Sequence, residues 1–272
     1  GRITHASLVP TMLRRVLDAR PEGADATGLR AVLVGGAAAD PDLLRRAVEA
    51  GIPVAATWGM TETASQVATA TPAETAADPT HAGRALPGVA LRASAAGRLE
   101  VRTPTLALGE LVDGRVRPLA DGEGWFATDD LGAIDPHGFV RVTGRLSDRI
   151  ISGGVNVDPV EVEREIRALD WARDVAVFGV PDPEWGERVV AAVVVAPGEG
   201  RGAPALLAAL LAALPDTLSG ARRPKALYRV DAIPLNANGK VDRRRLAQLY
   251  AEDASAPATG FSRGPASPGD PR

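Results

Sequence analysis

Cysteine is absent from the 272-residue chain, which excludes disulfides, thiolate metal sites and a cysteine nucleophile within it. Any thioester chemistry must draw on an external thiol, and the redox compartment stays open. A surplus of one charge sign is missing as well: 31 Lys+Arg stand against 34 Asp+Glu, a net charge of −3. Without a basic field, nucleic acid and anionic membrane surfaces are poor partners, and a small anionic ligand needs local positive groups. No apolar run approaches the ~20 residues that a membrane-spanning helix requires; the longest cover 189–196 and 203–214. A charged-then-apolar leader and an internal repeat are also lacking, so cytoplasmic placement is the expectation. The chain opens at Gly1 rather than Met and enters an apolar segment at once, which predicts a piece that starts inside a domain. What is present, 45% hydrophobic residues over this length, suffices for about two domains of ordinary size. Nothing in the sequence sets an oligomeric state.

The apolar run Ile52 to Ala56 reads as a buried strand, which puts Trp58-Gly59-Met60-Thr61-Glu62 at a strand's carboxyl end. Open α/β sheets bind ligands at that end. Gly59 frees the backbone, Thr61 offers a hydroxyl to a phosphate oxygen, Glu62 a hard carboxylate oxygen suited to Mg²⁺, and Trp58 a flat face for a base. Taken alone, the stretch is better explained as a strand-to-helix turn with Thr61 as cap and Glu62 favouring the helix dipole. Upstream, Leu8, Met12, Leu13, Val16 and Leu17 at helical spacing predict a helix capped by Ser7, with Pro10 in its first turn and His5, a low-weight pocket candidate, just before it. A strand from Leu29 to Val34 then runs into Gly35-Gly36-Ala37-Ala38, and Asp40-Pro41 opens a helix with Leu43, Leu44, Ala47 and Val48 on its apolar side. Strand, glycine turn, helix, strand is the grammar of a parallel α/β sheet. Gly35-Gly36 and Trp58 to Glu62 should therefore share one rim, although paired glycines at strand ends are commonly no more than tight turns.

From Thr71 to Gly88 the pattern loosens, and short alternating segments follow, among them 110–112 and 115–118 joined by the hairpin signal Asp113-Gly114. These predict a small antiparallel subdomain. Within Trp125-Phe126-Ala127-Thr128-Asp129-Asp130, Asp130 stands out, because a single carboxylate can accept hydrogen bonds from both hydroxyls of a ribose. Adjacent acids on a surface loop are, however, usually just solvated. The dense stretch Gly144 to Pro159, with Arg145, Ser147, Gly153 and Gly154, marks a domain boundary. After it come a helix capped by Asp158, with Val162, Ile166 and Leu169 buried, strands at 175–180, 189–196 and 226–230, and a helix from about Pro204 to Leu214. That is a compact α+β domain. Asn238-Gly239 forces a turn that holds Lys240 on a loop tip ahead of a helix, Arg243 to Tyr250, where an ammonium suits a phosphate that gains charge during reaction. Without companion motifs Lys240 would be a solvated turn lysine. From about Glu252 onward Ala, Ser, Pro and Gly predict a disordered tail.

In this order, Trp58 to Glu62, Trp125 to Asp130, Gly144 to Pro159 and Pro234 to Arg243 resemble the motifs of the ANL superfamily of adenylate-forming enzymes, which includes acyl-CoA synthetases, adenylation domains of peptide synthetases and firefly luciferase. The resemblance runs from Ser7 to Tyr250. It implies an α/β fold class: residues 1–144 as the C-terminal part of a large α/β domain with a small antiparallel β subdomain, 145–251 as a small α+β C-terminal domain, and 252–272 as a tail. It also implies ATP-dependent activation of a carboxylic acid to an acyl adenylate, then thioester formation with CoA. In such enzymes Gly35, Gly36, Ala37 and Trp58 would frame adenine and the acyl end, with Gly59 beside them in the cofactor-binding stretch. Thr61 would contact phosphate, Glu62 would hold Mg²⁺, and Asp130 and Arg145 would bind ribose. Lys240 would neutralise charge at the α-phosphate, Ser147 would be a hinge, and Gly153 and Gly154 would border the thiol's approach.

Local runs at 7–13, 59–69 and 103–121 look like the o-succinylbenzoate:CoA ligases of menaquinone synthesis, with fatty acyl-CoA synthetases as the alternative. Three features depart from the superfamily pattern. Ser147 replaces an acidic residue or lysine, Asp129 replaces a Gly, and no Gly/Ser/Thr-rich phosphate loop with a Lys lies within residues 1–272. The last departure predicts negligible adenylation by this chain in isolation, and it leaves a truncated, non-catalytic nucleotide-binding fragment as the reading of another class.

Overall fold

The computed structural model describes residues 3–21, 24, 28–214, 218, 220–237 and 239–255. They form two compact units, divided between Leu146 and Ser147.

Unit 1 is built on a five-stranded sheet. Strands β1 (His5–Leu8), β2 (Ala31–Val34) and β3 (Val54–Gly59) run parallel, and helices α1 (Pro10–Ala19) and α2 (Pro41–Glu49) make the two crossovers. The predicted helix start at Ser7 is corrected here. His5 to Leu8 pairs residue for residue with Ala31 to Val34, and the helix begins only at Pro10, with Val9 at its N-cap. Sheet pairing has overridden the helical spacing of Leu8, and Pro10 at the first helical position lacks only an N–H that would have been unpaired anyway. Asp40 caps α2 as expected, accepting the Asp42 N–H at 2.9 Å, and Leu43, Leu44 and Ala47 are buried.

After β3 the chain makes one 3₁₀ turn, Thr61–Thr63, and doubles back as β4 (Gln66–Thr69), antiparallel to β3. The loose region then forms helix α3 (Pro72–Ala77), capped reciprocally by Thr71 and Glu74, and the short edge strand β5 (Arg84–Ala85). The subdomain is a four-stranded antiparallel sheet in the order β11-β10-β7-β6, from β6 (Ala90–Ala93), β7 (Arg98–Arg102), β10 (Phe126–Ile134) and β11 (Val140–Arg145). The hairpin β8 (Gly109–Val112) and β9 (Arg115–Pro118) turns at Asp113 and Gly114, both with positive φ.

Unit 2 carries β12 (Ile150–Ser152), β13 (Val155–Val157), helix α4 (Pro159–Arg167), the long antiparallel pair β14 (Ala172–Asp182) and β15 (Gly186–Val195), helix α5 (Ala203–Ala213), β16 (Ala226–Arg229) and helix α6 (Arg243–Ser255). Alternate residues of the long pair face opposite cores. Val175, Val177, Val189, Ala191 and Val193 meet Val162 and Ile166 of α4 and Leu206 and Leu210 of α5. Ala176, Phe178, Val180, Val190 and Ala192 meet Leu246 of α6. Both faces are covered, which is why these strands read as nearly continuous apolar runs. Asp158 caps α4 through the Val160 N–H at 2.9 Å, and burial pushes its carboxyl above the usual range.

Helix α6 continues through Ser255, past the tail boundary expected at Glu252, because helical register simply runs on through Ala251 to Ser255. Asn238 of the predicted turn and residues 256–272 of the predicted tail lie outside the described residues. Among the described residues no helix is long and apolar enough to cross a membrane.

Leu246 is fully buried and seals the second core of unit 2. Leu246→Ala should cost about 2–5 kcal/mol in urea unfolding of that unit, and a loss below about 1 kcal/mol would contradict this packing.

Candidate functional site

Parallel pairing of β2 with β3 puts the carboxyl ends of both strands on one rim, and the rim residues touch. A Cβ on Gly35 would fall 2.1 Å from the Thr57 hydroxyl oxygen, so only glycine lets the β2 turn close onto β3 at this level. A Cβ on Gly59 would fall 2.3 Å from the Ser65 carbonyl oxygen, across the return to β4. These contacts explain both glycines without invoking a ligand, and they also press the loops 35–37 and 58–62 against one backbone ladder. Thr61 is exposed and Glu62 half-buried on the 3₁₀ turn. The turn is fastened from inside by Thr63, whose hydroxyl lies 3.1 Å from the Met60 carbonyl and 2.9 Å from that of Ser65, and from outside by the Ala107 N–H, 2.7 Å from the Glu62 carbonyl. The helix cap envisaged for Thr61 is replaced by this single turn, because antiparallel pairing of Gly59 with Gln66 leaves no room to extend it.

Trp58 is only 6% exposed, packed with Val67, Leu99, Val101 and Val140. Its indole N–H donates to Asp130 Oδ2 at 2.7 Å. Arg145, paired with Asp130 across β10 and β11, brings its Nε to 3.2 Å from Asp130 Oδ1 and an Nη to 3.2 Å from Asp129 Oδ2. Asp130 is thus gripped on both oxygens, one by a neutral N–H and one by a guanidinium. A carboxylate offers about four lone-pair positions, so two further donors can still be accepted. Asp129 lies in the stretch of β10 where pairing with β7 lapses, and its side chain gives Arg145 a second carboxylate.

Two residues that sequence reasoning passed over build this arrangement. Pairing of β10 with β7 lapses between Ala127 and Leu131, and Arg98 fills the gap, donating Nε to the Thr128 carbonyl at 2.5 Å and Nη2 to that of Ala127 at 2.9 Å. Buried Thr128 donates its hydroxyl to the Leu99 carbonyl at 2.8 Å and accepts the Asp130 N–H at 3.1 Å. A Thr two residues before an Asp is a recognisable local turn signal. Arg98 gives no such signal, since its role depends on a bulge.

Residues elsewhere in the sequence-based set occupy separate places. His5 is exposed on β1, its Nδ1 2.9 Å from the Thr4 hydroxyl. Ser147 is exposed in the 3₁₀ turn where unit 2 begins. Gly153 and Gly154 form the two-residue turn between β12 and β13, with φ of 55° and 75°. Lys240 is half-buried on a loop closed by the Asn236 and Lys240 backbones, N to O 2.8 Å, and by the Lys240 N–H on Asn236 Oδ1 at 3.1 Å. Among the described residues no three His, Asp or Glu side chains cluster to hold a metal. Glu62 as a lone carboxylate fits Mg²⁺, which takes one or two carboxylates and completes its shell with phosphate oxygens and water.

Residues 1–112 match the AMP-binding enzyme family, and residues 161–240 match the AMP-binding enzyme C-terminal domain. A probable 2-succinylbenzoate–CoA ligase of Mycobacterium tuberculosis is 38% identical over 252 residues, covering 92% of this chain and 62% of that protein. The solved o-succinylbenzoate CoA synthetase (MenE) from Bacillus subtilis, in complex with the acyl-adenylate intermediate OSB-AMP, superposes with a TM-score of 0.74 at 29% identity, over 90% of this chain and 51% of that one. ATP-bound MatB from Rhodopseudomonas palustris gives 0.80 at 31% identity, over 93% and 52%. The chain spans about half the length of most of the relatives it matches.

If the indole N–H holds Asp130 as this geometry requires, a double-mutant cycle of Trp58→Phe and Asp130→Asn in urea unfolding should give a coupling of about 1.5–3 kcal/mol. Additive effects would show that the bond contributes nothing.

Proposed function

We propose that the chain is part of an enzyme of the AMP-binding family, and that the protein at its native length is an AMP-forming acid–thiol ligase acting on 2-succinylbenzoate. The carboxylate of the acid attacks the α-phosphorus of ATP, giving an acyl adenylate and pyrophosphate. The thiol of CoA then attacks the acyl carbon and releases AMP. Such an activity belongs in menaquinone synthesis and in the cytoplasm.

The observation that carries this reading is Asp130, held by Trp58 and Arg145 on the rim that also presents the 3₁₀ turn of Thr61 and Glu62. Its two remaining acceptor positions suit the vicinal hydroxyls of a ribose. Arg145, steadied by Asp129, stays close to the same sugar. With the ribose fixed there, the loop 35–37 and the end of β3 frame the base and the acyl end. The Trp58 ring offers at most an edge or one face, since most of it is buried, so its main task in this reading is to aim Asp130. Thr61 would donate to a phosphate oxygen, and Glu62 is the carboxylate that would hold Mg²⁺. Mg²⁺ bound there would offset phosphate charge as the bond to the leaving pyrophosphate breaks.

In the second unit Lys240 contributes an ammonium to the charge that develops at the α-phosphate, a term of the kind that supplies much of phosphoryl-group catalysis. Gly154, where an added Cβ would meet nothing within 4 Å, leaves that side of the β12–β13 turn open to a thiol arm, Gly153 lies close against the Trp185 ring beside it, and Ser147 is the pivot between half-reactions. In this reading the end of the large domain runs to Leu146, two residues past the boundary expected at 144, and the small domain starts at Ser147.

At native length, AMP release with ATP, CoA and 2-succinylbenzoate should exceed release with benzoate or a medium-chain fatty acid by at least about tenfold. Release with the fatty acid and none with 2-succinylbenzoate would overturn the choice of acid.

A further inference from the structure

Lys240 belongs to a loop that is well tied internally and flanked by Ile233 and Val241, which pack on the core of Phe178 and Leu246. The Leu235–Val241 bridge, the Gly239 N–H on the Asn236 carbonyl at 2.9 Å and the Asp242 N–H on the Pro234 carbonyl at 2.9 Å close the loop on itself. None of these fixes it against the rest of unit 2. The directional, polar anchor comes three residues later, at the first residue of α6. Arg243, whose side chain is 19% exposed, donates Nε to the Val177 carbonyl at 3.0 Å, Nη1 to Asp148 Oδ2 at 3.1 Å and Nη2 to Glu163 Oε1 at 2.6 Å.

Glu163 is almost wholly buried on α4 and also accepts the Val177 N–H at 2.9 Å and an Arg167 N–H at 3.3 Å. Two acids and two guanidinium groups thus balance in a mostly dry setting, where a charge-assisted network is stiff and costly to break. One side chain joins the lysine loop to β14, to α4 and to the segment that directly follows Ser147. A hydrophobic plug would pack the same space, but it would not fix a direction.

We infer that Arg243 is the positioning residue for Lys240, setting where the ammonium stands through its clamp on Glu163 and Asp148. This rests on the reading of Lys240 as the group that serves adenylate formation. The clamp should therefore matter for that half-reaction and much less for transfer from an adenylate already made. It should also depend on the planar fork of arginine, because a lysine offers one point charge where three directed bonds are needed.

The test measures both half-reactions of the native-length protein: pyrophosphate exchange with ATP and acid, and thioester formation from supplied acyl adenylate and CoA. Arg243→Met and Arg243→Lys should each lower exchange about 10–100-fold, the scale of a small misplacement, with thioester formation within about threefold of wild type. Asp148→Asn, which leaves Glu163 paired, should lower exchange alone by a smaller factor, and it decides the matter if the Arg243 variants do not fold. Lys240→Ala separates the two levels of inference. If it lowers exchange while the clamp variants do not, positioning by Arg243 is wrong and the role of Lys240 stands. If Lys240→Ala leaves exchange intact, both fall. Equal losses in the two half-reactions for the clamp variants would make Arg243 a general structural residue and overturn the proposal.

Discussion

A carboxylate that is mostly withdrawn from water must be met by donors, and in unit 1 the whole arrangement follows from how Asp130 is met. Its two partners come from different places in the fold: Trp58 from the end of the parallel sheet, Arg145 from the neighbouring strand of the antiparallel sheet. The bond to Trp58 adds a side-chain link to the backbone bonds that Ala82 and Gly83, just before β5, exchange with Val140 of β11. It stitches the two sheets together across the apolar cluster of Val67, Leu99, Val101 and Val140. Arg98 and Thr128 hold the bulged backbone that lets Asp130 turn toward Trp58 rather than continue the pairing with β7. The site and the packing between sheets are one construction, so a change in either should be felt in the other.

Unit 2 solves a comparable problem with the same pairing of signs. There a buried acid, Glu163, is met by Arg243 and Arg167, and the reward is a fixed start for α6 just after the lysine loop. Both units use an arginine shared between two acids, Asp129 and Asp130 in one, Asp148 and Glu163 in the other. Sharing limits the number of positions the guanidinium can take.

Much of this was legible in the residues. Asp40 and Asp158 announced their helices, Asp113-Gly114 its hairpin, and the apolar runs of unit 2 its strands β14, β15 and β16. The α/β character of unit 1 and the α+β character of unit 2 followed from element order. The failures share a cause. Ser7 and Leu8 have helical spacing yet pair as a strand, and the residues after Trp58 resemble a helix start yet make one turn, because in both places a neighbouring strand decides and a neighbouring strand is not local information. The clamps were invisible for the same reason. Trp58 and Asp130 are 72 residues apart, and Arg243 lies 80 from Glu163 and 95 from Asp148, so no window of sequence contains both halves of either bond. Asp129 looked like a disturbance in the motif and is instead a partner for Arg145.

The central claim is that Asp130 is held where it is in order to accept a ribose. Titrating the chain with AMP and with 2′,3′-dideoxy-AMP, for wild type and for Asp130→Asn, tests that claim most directly. The account predicts that wild type prefers AMP by at least about tenfold, the discrimination expected when a built acceptor is left unpaired, and that Asp130→Asn erases the preference while binding the dideoxy compound as before. Equal binding of both compounds by wild type, or an AMP preference that survives in Asp130→Asn, would contradict it.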